Sequence, residues 1–374
     1  MKKLLLIGGG HSHVEVLRQF GLTPDPTIDI TLVSPDRHTP YSGMLPGWIA
    51  GHYRFIDCHI DLERITRFAR ARFVQSRVPS IDRPRQQALV EDGSILGYDA
   101  CSIDIGSTPP AGAIQGAREH AVPVKPVGRF IDTIESLASH ARQGQRRSVA
   151  VIGAGAAGVE VLFSMQYRLL REVPASNLSF SLIAASSTVL PSHPDKVRNI
   201  FLRMLSERDV AVYTDFNVRS VGSGMVRAVD GREVHADFVV LATGAAAASW
   251  PAESNIETDS SGFIMVNEHL QSVSDPCLFA AGDIASATDH SYPKSGVYAV
   301  RQGPVLASNL RNVLTNRPLA RYIPQQVALA LISTGTRYAV ASRGRWVFEG
   351  RWVWTWKDFI DRKFMGKYNR VPMR

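Results

Sequence analysis

Two stretches of this chain follow one pattern. "LLLIGGGHSHVEVL" (4–17) passes from an apolar run through three glycines into a helical pattern, and "VAVIGAGAAGVEVL" (149–162) does the same. A buried strand that breaks at glycine and resumes as a helix lays helix against strand, so the chain must build parallel sheet covered by helices, and must do so twice. In the second unit Gly153, Gly155 and Gly158 complete G-x-G-x-x-G. The first glycine permits the tight turn, the second lets the backbone approach a pyrophosphate, and the third seats the helix on the strand. Free N–H groups at the helix start favour phosphate. In the first unit Gly8 and Gly10 fill the first two roles, but His13 takes the third. An imidazole there must push the helix off the strand, tilt it, or escape sideways. His11-Ser12-His13 also has ligand residue types, yet imidazoles two positions apart with no neighbouring cysteine do not make a metal site. No metal is expected.

An acid about 20 residues beyond each turn would grip a ribose diol. The first strand ends on Ser34 with Asp36 two residues on; the second ends on Ala184, followed by Ala185, Ser186 and Ser187. The second unit therefore offers no acid for the diol and no adjoining arginine for a 2′-phosphate, which leaves NADH and NADPH undistinguished and nicotinamide binding open to loss.

Short apolar strands alternate with helical stretches along most of the chain, an α/β pattern. Strands are expected at 2–7, 29–34, 148–152, 178–183, 237–244 and 277–286, and helices at 11–20, 60–71, 129–142, 156–171, 194–207 and 297–313. The last fifty residues differ: four of the six tryptophans lie there, and the pattern reads as a strand pair followed by an amphipathic helix. The hydrophobic content of 45% and charged content of 20% are those of a globular chain. The net charge is +8, with the basic residues dispersed and densest at 142–147 and 343–374; without a Lys/Arg block, nucleic acid is not an expected partner. Cys58, Cys101 and Cys277 show no metal or redox spacing, which fits a reducing, cytoplasmic setting. "MKKLLLI" is too short for a signal segment, and no apolar run reaches membrane-spanning length.

Two nucleotide units, the second inserted in the first, resemble the pyridine nucleotide-disulfide oxidoreductase family, where the first unit binds FAD and the second NAD(P)H. "VLATG" (240–244), ending on Gly244, resembles the strand that closes that family's nicotinamide domain, and "LFAAGDIAS" (278–286) its second FAD signature. The latter implies that Asp283 bonds the ribityl chain while Gly282 allows close approach. "YDACSIDIGSTP" (98–109) stands where the family has an Ala-Thr-Gly crossing, with Gly106 at its glycine. Within the family the type II NADH dehydrogenase branch is the nearest. "YSGMLPGWIAG" (41–51) resembles the segment beside its isoalloxazine, "GAAGVE" (155–160) places Glu160 near nicotinamide and flavin, and "YAVRQGPVLASNL" (298–310) places Gln302 on a flavin-contacting helix. "GGGHSHVEVL", "SPDRHTPYSGMLPG" and "PKSGVYAVRQGP" are closer still to the oxidoreductases associated with selenide, water dikinase, which share the histidine-bearing turn. The redox cysteine pair of disulfide reductases has no counterpart. The cysteines read as packing residues, with a meeting of Cys58 and Cys277 the one alternative.

The resemblance implies an α/β fold of two Rossmann-like domains, FAD-binding at 1–112 and 245–320 and NAD(P)-binding at 113–244, with a small α+β region at 321–374. It implies cofactor contacts at Gly8, Gly10, His11, Ser12, Ser34, Asp36, Tyr41, Pro46, Gly106, Gly153, Gly155, Gly158, Gly244, Gly282 and Asp283, and catalytic parts for Glu160, Gln302 and Lys294. Lys294 stands at the start of a helix near Ser295 whose positive end would face the flavin. The expected reaction passes hydride from NADH or NADPH to FAD, and electrons on to a quinone-like or other small acceptor. The alternatives are a flavin-bearing regulatory or partner-binding protein with little turnover, and a sulfide- or selenide-oxidising flavoprotein. The aromatic, basic C-terminal helix reads either as a peripheral contact with the inner membrane face or as a docking helix that covers the flavin domain or makes a homodimer; Asp358 and Asp361 weigh against the membrane.

Overall fold

The computed structural model describes residues 1–107, 114–124, 127–290, 292–325 and 327–372. The expected boundary at 112/113 lies outside these. Two five-stranded sheets, parallel throughout, dominate. The first runs Leu278–Ala280, Ala100–Ile103, Lys2–Ile7, Ile28–Ser34, Arg72–Gln75, and the second Ala121–Pro123, Phe238–Leu241, Arg147–Ile152, Leu178–Ile183, Val210–Tyr213. Every strand of the second sheet falls in sequence between Ala100–Ile103 and Leu278–Ala280 of the first, so one sheet interrupts the other. Each sheet carries a three-stranded antiparallel ribbon: Ser80–Asp82, Gln87–Leu89 and Ile95–Gly97 on one, Val218–Gly222, Met225–Ala228 and Glu233–His235 on the other. An Asp-Gly turn at Asp92 and Gly93 closes the last two strands of the first ribbon, with Gly93 at φ +86°.

The strand cores explain the unbroken apolar runs. Leu4, Leu5, Leu6 and Ile7 are all buried because helices or loops cover both faces of the sheet. On one face, His11–Leu22 packs along Gly296–Leu314: Ser12 Oγ donates to the Ala299 carbonyl at 2.7 Å, and a Cβ on Gly303 would lie 2.7 Å from Glu15 Cβ. Leu6, Leu17, Phe20, Leu32, Leu306 and Leu310 fill this layer. Phe163, Leu162, Val151, Leu182 and Phe201 do the same in the second domain. Each such side chain contributes about 1.5–3 kcal/mol on burial.

The C-terminal region departs from the expected strand pair. Three antiparallel strands, Ala330–Ser333, Ala339–Arg343 and Trp346–Gly350, precede the helix Arg351–Asn369. Ala330–Ser333 is short and apolar without alternation, and its burial comes from distant residues. The hairpin is tied to the second domain, where the Ser333 N–H donates to Glu160 Oε1 at 2.7 Å and Arg208 donates to the Thr334 carbonyl at 2.6 Å. It is tied to the first domain through His52, whose Nε2 lies 2.9 Å from the Gly335 carbonyl. The helix then packs Val353 on the hairpin and docks Lys357, Asp361, Phe364, Met365 and Tyr368 on the first domain's side.

Candidate functional site

The carboxyl ends of both parallel sheets open onto one cleft of about 2540 Å³. Gly8, Gly10, His11, Ser34, Asp36, Tyr41, Pro46, Gly106, Gly282, Asp283 and Lys294 line it from the first domain; Gly153, Gly155, Glu160 and Gly244 line it from the second. Three further expected residues lie behind its wall: Ser12, Gly158 and Gln302.

The second turn is built as its glycines require. Gly153 has φ +112°, and a Cβ on Gly158 would lie 1.8 Å from the Gly153 carbonyl oxygen, so helix and strand touch there. A Cβ on Gly155 would meet nothing within 4 Å; it would project into open space at an N-cap that makes no side-chain hydrogen bond. The Thr243 hydroxyl nearby is buried without a hydrogen-bond partner among the described residues. An open glycine, an uncapped helix start and an orphaned hydroxyl fit a dinucleotide phosphate.

The first turn solves its histidine problem by turning the ring inward. His13 is wholly buried, with Nδ1 2.7 Å from the Gly8 carbonyl and Nε2 2.8 Å from Ser102 Oγ. A carbonyl only accepts, so these partners assign the proton to Nδ1 and leave Nε2 to accept from Ser102. Burial pushes the imidazole pKa down to about 4, which keeps the ring neutral. The ring thus stitches the turn to the next strand. Ser12 spends its hydroxyl on Ala299, and its N–H donates to Asp104 Oδ2 at 2.9 Å. Asp104 is absent from the expected residues. Gly106, at φ +69°, leaves open space where a Cβ would stand, and the helix start at Ser295 has no side-chain cap; both fit a bound FAD.

Gln302 supports the first domain's wall of the cleft from behind. Its Oε1 accepts the Gly282 N–H at 2.7 Å and its Nε2 donates to Tyr292 Oη at 2.7 Å, so it props the Gly-Asp turn. Asp283 accepts from Ser107 Oγ at 3.2 Å. The Lys294 ammonium is bound to the Ala285 carbonyl and sits 4.1 Å above the Phe263 ring, where burial lowers its pKa.

A second group that sequence reasoning missed faces the cleft from the C-terminal helix. Lys357 and Asp361, both buried, pair at 2.6 Å; Lys357 also donates to the Gly43 carbonyl, and Asp361 bonds Tyr41, which stacks on Phe364 at 4.3 Å. Lys and Asp at i and i+4 on an amphipathic helix look like solvated charges in a sequence; only the docked face reveals them. Burial pushes the Glu160 carboxyl up to about 7, with Lys357 opposing the rise.

The thiols do not form a redox pair. Cys277 lies beside Cys101, whose N–H donates to its carbonyl at 2.8 Å, while Cys58 packs with Met44 and Ile60 in another layer. This corrects the alternative that Cys58 meets Cys277. Burial pushes the Cys58 thiol up to about 12 and raises Cys101 and Cys277 as well.

Residues 2–303 match the family model described as pyridine nucleotide-disulphide oxidoreductase. The chain is 26% identical over 292 residues to the NADH dehydrogenase-like protein YutJ of Bacillus subtilis, covering 76% of this chain and 77% of that one. It is 23% identical over 334 residues to a type II NADH:quinone oxidoreductase of Staphylococcus aureus, covering 84% and 83%. The sulfide:quinone oxidoreductase structure from Aquifex aeolicus superposes with a TM-score of 0.83 at 17% identity, over 100% of this chain and 92% of that one.

Proposed function

Because this chain belongs to the pyridine nucleotide-disulphide oxidoreductase family, we propose that it is an FAD-dependent oxidoreductase that takes hydride from NAD(P)H and passes electrons to a quinone-like acceptor. The observation that carries the reading is the convergence of both glycine turns on one cleft. FAD, when bound, supplies a two-electron carrier that accepts hydride and releases electrons to an acceptor.

The chain's own residues have separable tasks. The first turn holds the FAD phosphates and Asp36 the adenosine ribose, while Asp283, propped through Gln302, faces the ribityl chain. Tyr41 and Pro46 wall the ring, and the start of Gly296–Leu314 presents its positive end to it. Gly153, Gly155 and Thr243 receive the nicotinamide nucleotide. Glu160, titrating near neutrality, is poised to exchange a proton with the acceptor, and Lys357 supplies positive charge at the same wall. Lys294, bound to Ala285, acts by holding the Asp283 loop.

The acceptor end favours a membrane-dissolved quinone. Trp352, Trp356 and Phe359 are 56%, 39% and 63% exposed on the undocked face of the C-terminal helix, beside Arg351, Arg362 and Lys363. Asp358 and Asp361, which weighed against membrane contact in the sequence, bond Tyr53, Arg362 and Lys357. The outer face is therefore aromatic and basic, suited to an anionic membrane surface. No helix among the described residues is long and apolar enough to cross a membrane. The expected homodimer remains the competing occupant of this face.

Anaerobic stopped-flow tests the reading. The purified protein binds FAD, NADH or NADPH bleaches the flavin band, and a soluble quinone restores it. Bound FAD that neither nucleotide bleaches points to the partner-binding alternative, which the missing acid after Ala184 favours. Bleaching by sulfide or selenide instead points to the third, which the motifs shared with the oxidoreductases associated with selenide, water dikinase raise and the three high thiol pKa values oppose.

A further inference from the structure

The two Rossmann units are an internal comparison, and they differ at one matched pair. A Cβ on Gly8 would lie 2.3 Å from the Asp104 carbonyl oxygen, and a Cβ on Gly153 would lie 2.4 Å from that of Ala242. Asp104 and Ala242 therefore hold the same place, on the strand beside the glycine turn. Where the second unit pairs Ala242 with Gly158, the first pairs Asp104 with His13. The two changes belong together. His13 keeps the helix start away from the contact that Gly158 makes, and the Asp104 carboxyl occupies the gap.

Its contacts span both FAD-facing turns. Oδ2 accepts the Ser12 N–H at 2.9 Å and the His13 N–H at 3.2 Å, the amides that an N-cap side chain would bond and that Gly10 cannot. A Cβ on Gly10 would lie 2.1 Å from Oδ1, and one on Gly282 would lie 2.4 Å from it. The Asp104 carbonyl also accepts the Gly10 N–H at 3.1 Å. One buried carboxyl thus fills the space between the turn that opens the first domain and the turn that bears Asp283.

We propose that Asp104 is a positioning residue that clasps the two FAD-facing turns together, and that its carboxyl takes up a proton when FAD binds. The inference rests on the FAD reading above. The first helix start already carries a protein carboxylate, so a pyrophosphate brought to the same positive end adds like charge beside it. The groups around Asp104 do not relieve this. His13 is neutral, Ser12 and Ser102 are hydroxyls, and Asp283 on the facing turn adds a second negative charge; the Lys294 ammonium acts on Asp259 and Asp283 instead. Burial has already raised the Asp104 pKa to about 7, so the proton is available near neutrality.

Two measurements test this on the full chain stripped of FAD. In fluorescence titrations the FAD Kd of the unmutated protein rises about tenfold per pH unit above roughly pH 7. Asp104→Asn, which keeps the size and an acceptor, binds FAD with a flat profile and more tightly than the unmutated protein at pH 9. Asp104→Ala binds more weakly at every pH. Calorimetry of FAD binding in buffers of different ionisation enthalpy shows uptake approaching one proton at pH 8, falling toward none by pH 5.5, and decides the question even if the variants do not fold. A flat Kd in the unmutated protein, an equal slope in Asp104→Asn, or no proton uptake at pH 8 overturns the proposal. Failure of the unmutated protein to bind FAD at any pH overturns the FAD reading instead.

Discussion

Replacing Lys357 with methionine keeps the buried aliphatic stem and removes the ammonium. Lys357 and Asp361 are 5% and 4% exposed and pair at 2.6 Å, and Lys357 also holds the Gly43 carbonyl. At pH 8 the variant leaves Asp361 charged or forces it to protonate against the solvent pH; orphaning one member of a buried pair costs about 3–5 kcal/mol. At pH 5 the cost falls, because Glu160 holds its proton and burial shifts Asp361 toward protonation, leaving mainly the bond to Gly43, about 1–3 kcal/mol. The sign follows from linkage. Burial raises both carboxyl pKa values in the folded state, Glu160 to about 7, so the native protein holds more protons than the unfolded chain and stability falls as pH rises through that range. Removing the ammonium that opposes both shifts steepens the fall. Urea unfolding followed by tryptophan fluorescence at saturating FAD, at pH 5 and pH 8, measures it. An equal loss at the two pH values, or a loss below about 1 kcal/mol at pH 8, refutes the argument.

Gly158→Ala drives a Cβ into the Gly153 carbonyl, so the variant retains FAD but loses bleaching by NAD(P)H by at least tenfold in rate, read by stopped-flow. Gln302→Ala frees the Gly282 N–H and weakens FAD binding by about 1–3 kcal/mol, read as Kd by fluorescence. Serine at Trp352, Trp356 and Phe359 together abolishes co-sedimentation with anionic vesicles and leaves turnover with a water-soluble quinone unchanged. Cys58→Ser and Cys277→Ser each leave the rate of NAD(P)H bleaching within twofold of the unmutated protein, since both thiols are held protonated.

The strand–glycine–helix units were legible because each is local: Gly153, Gly155 and Gly158 lie within six residues, and their roles follow from backbone sterics alone. The Gly-Asp turn at 282–283 was legible by resemblance in the same way. What could not be read were residues whose partners are remote. Asp104 acts on amides about ninety positions earlier and on Gly282 far downstream. Gln302, expected at the flavin, turned out to face the back of the turn, because one helix side chain can reach only what the fold stacks against it. The strand Ala330–Ser333 escaped notice because three apolar residues and a serine carry no periodicity.

Local sterics in the sequence alone determined that this chain would build two parallel sheets, each with a strand that turns tightly at glycine into a helix, since Gly8 and Gly153 take positive φ there and a Cβ would strike the neighbouring strand. Tertiary structure alone decided how His13 could stand in place of a glycine, which carboxyl would fill the gap it made, and which charges of the C-terminal helix would be buried at the cleft. Those outcomes depend on which side chains meet across long separations, and on how far burial then moves their protons.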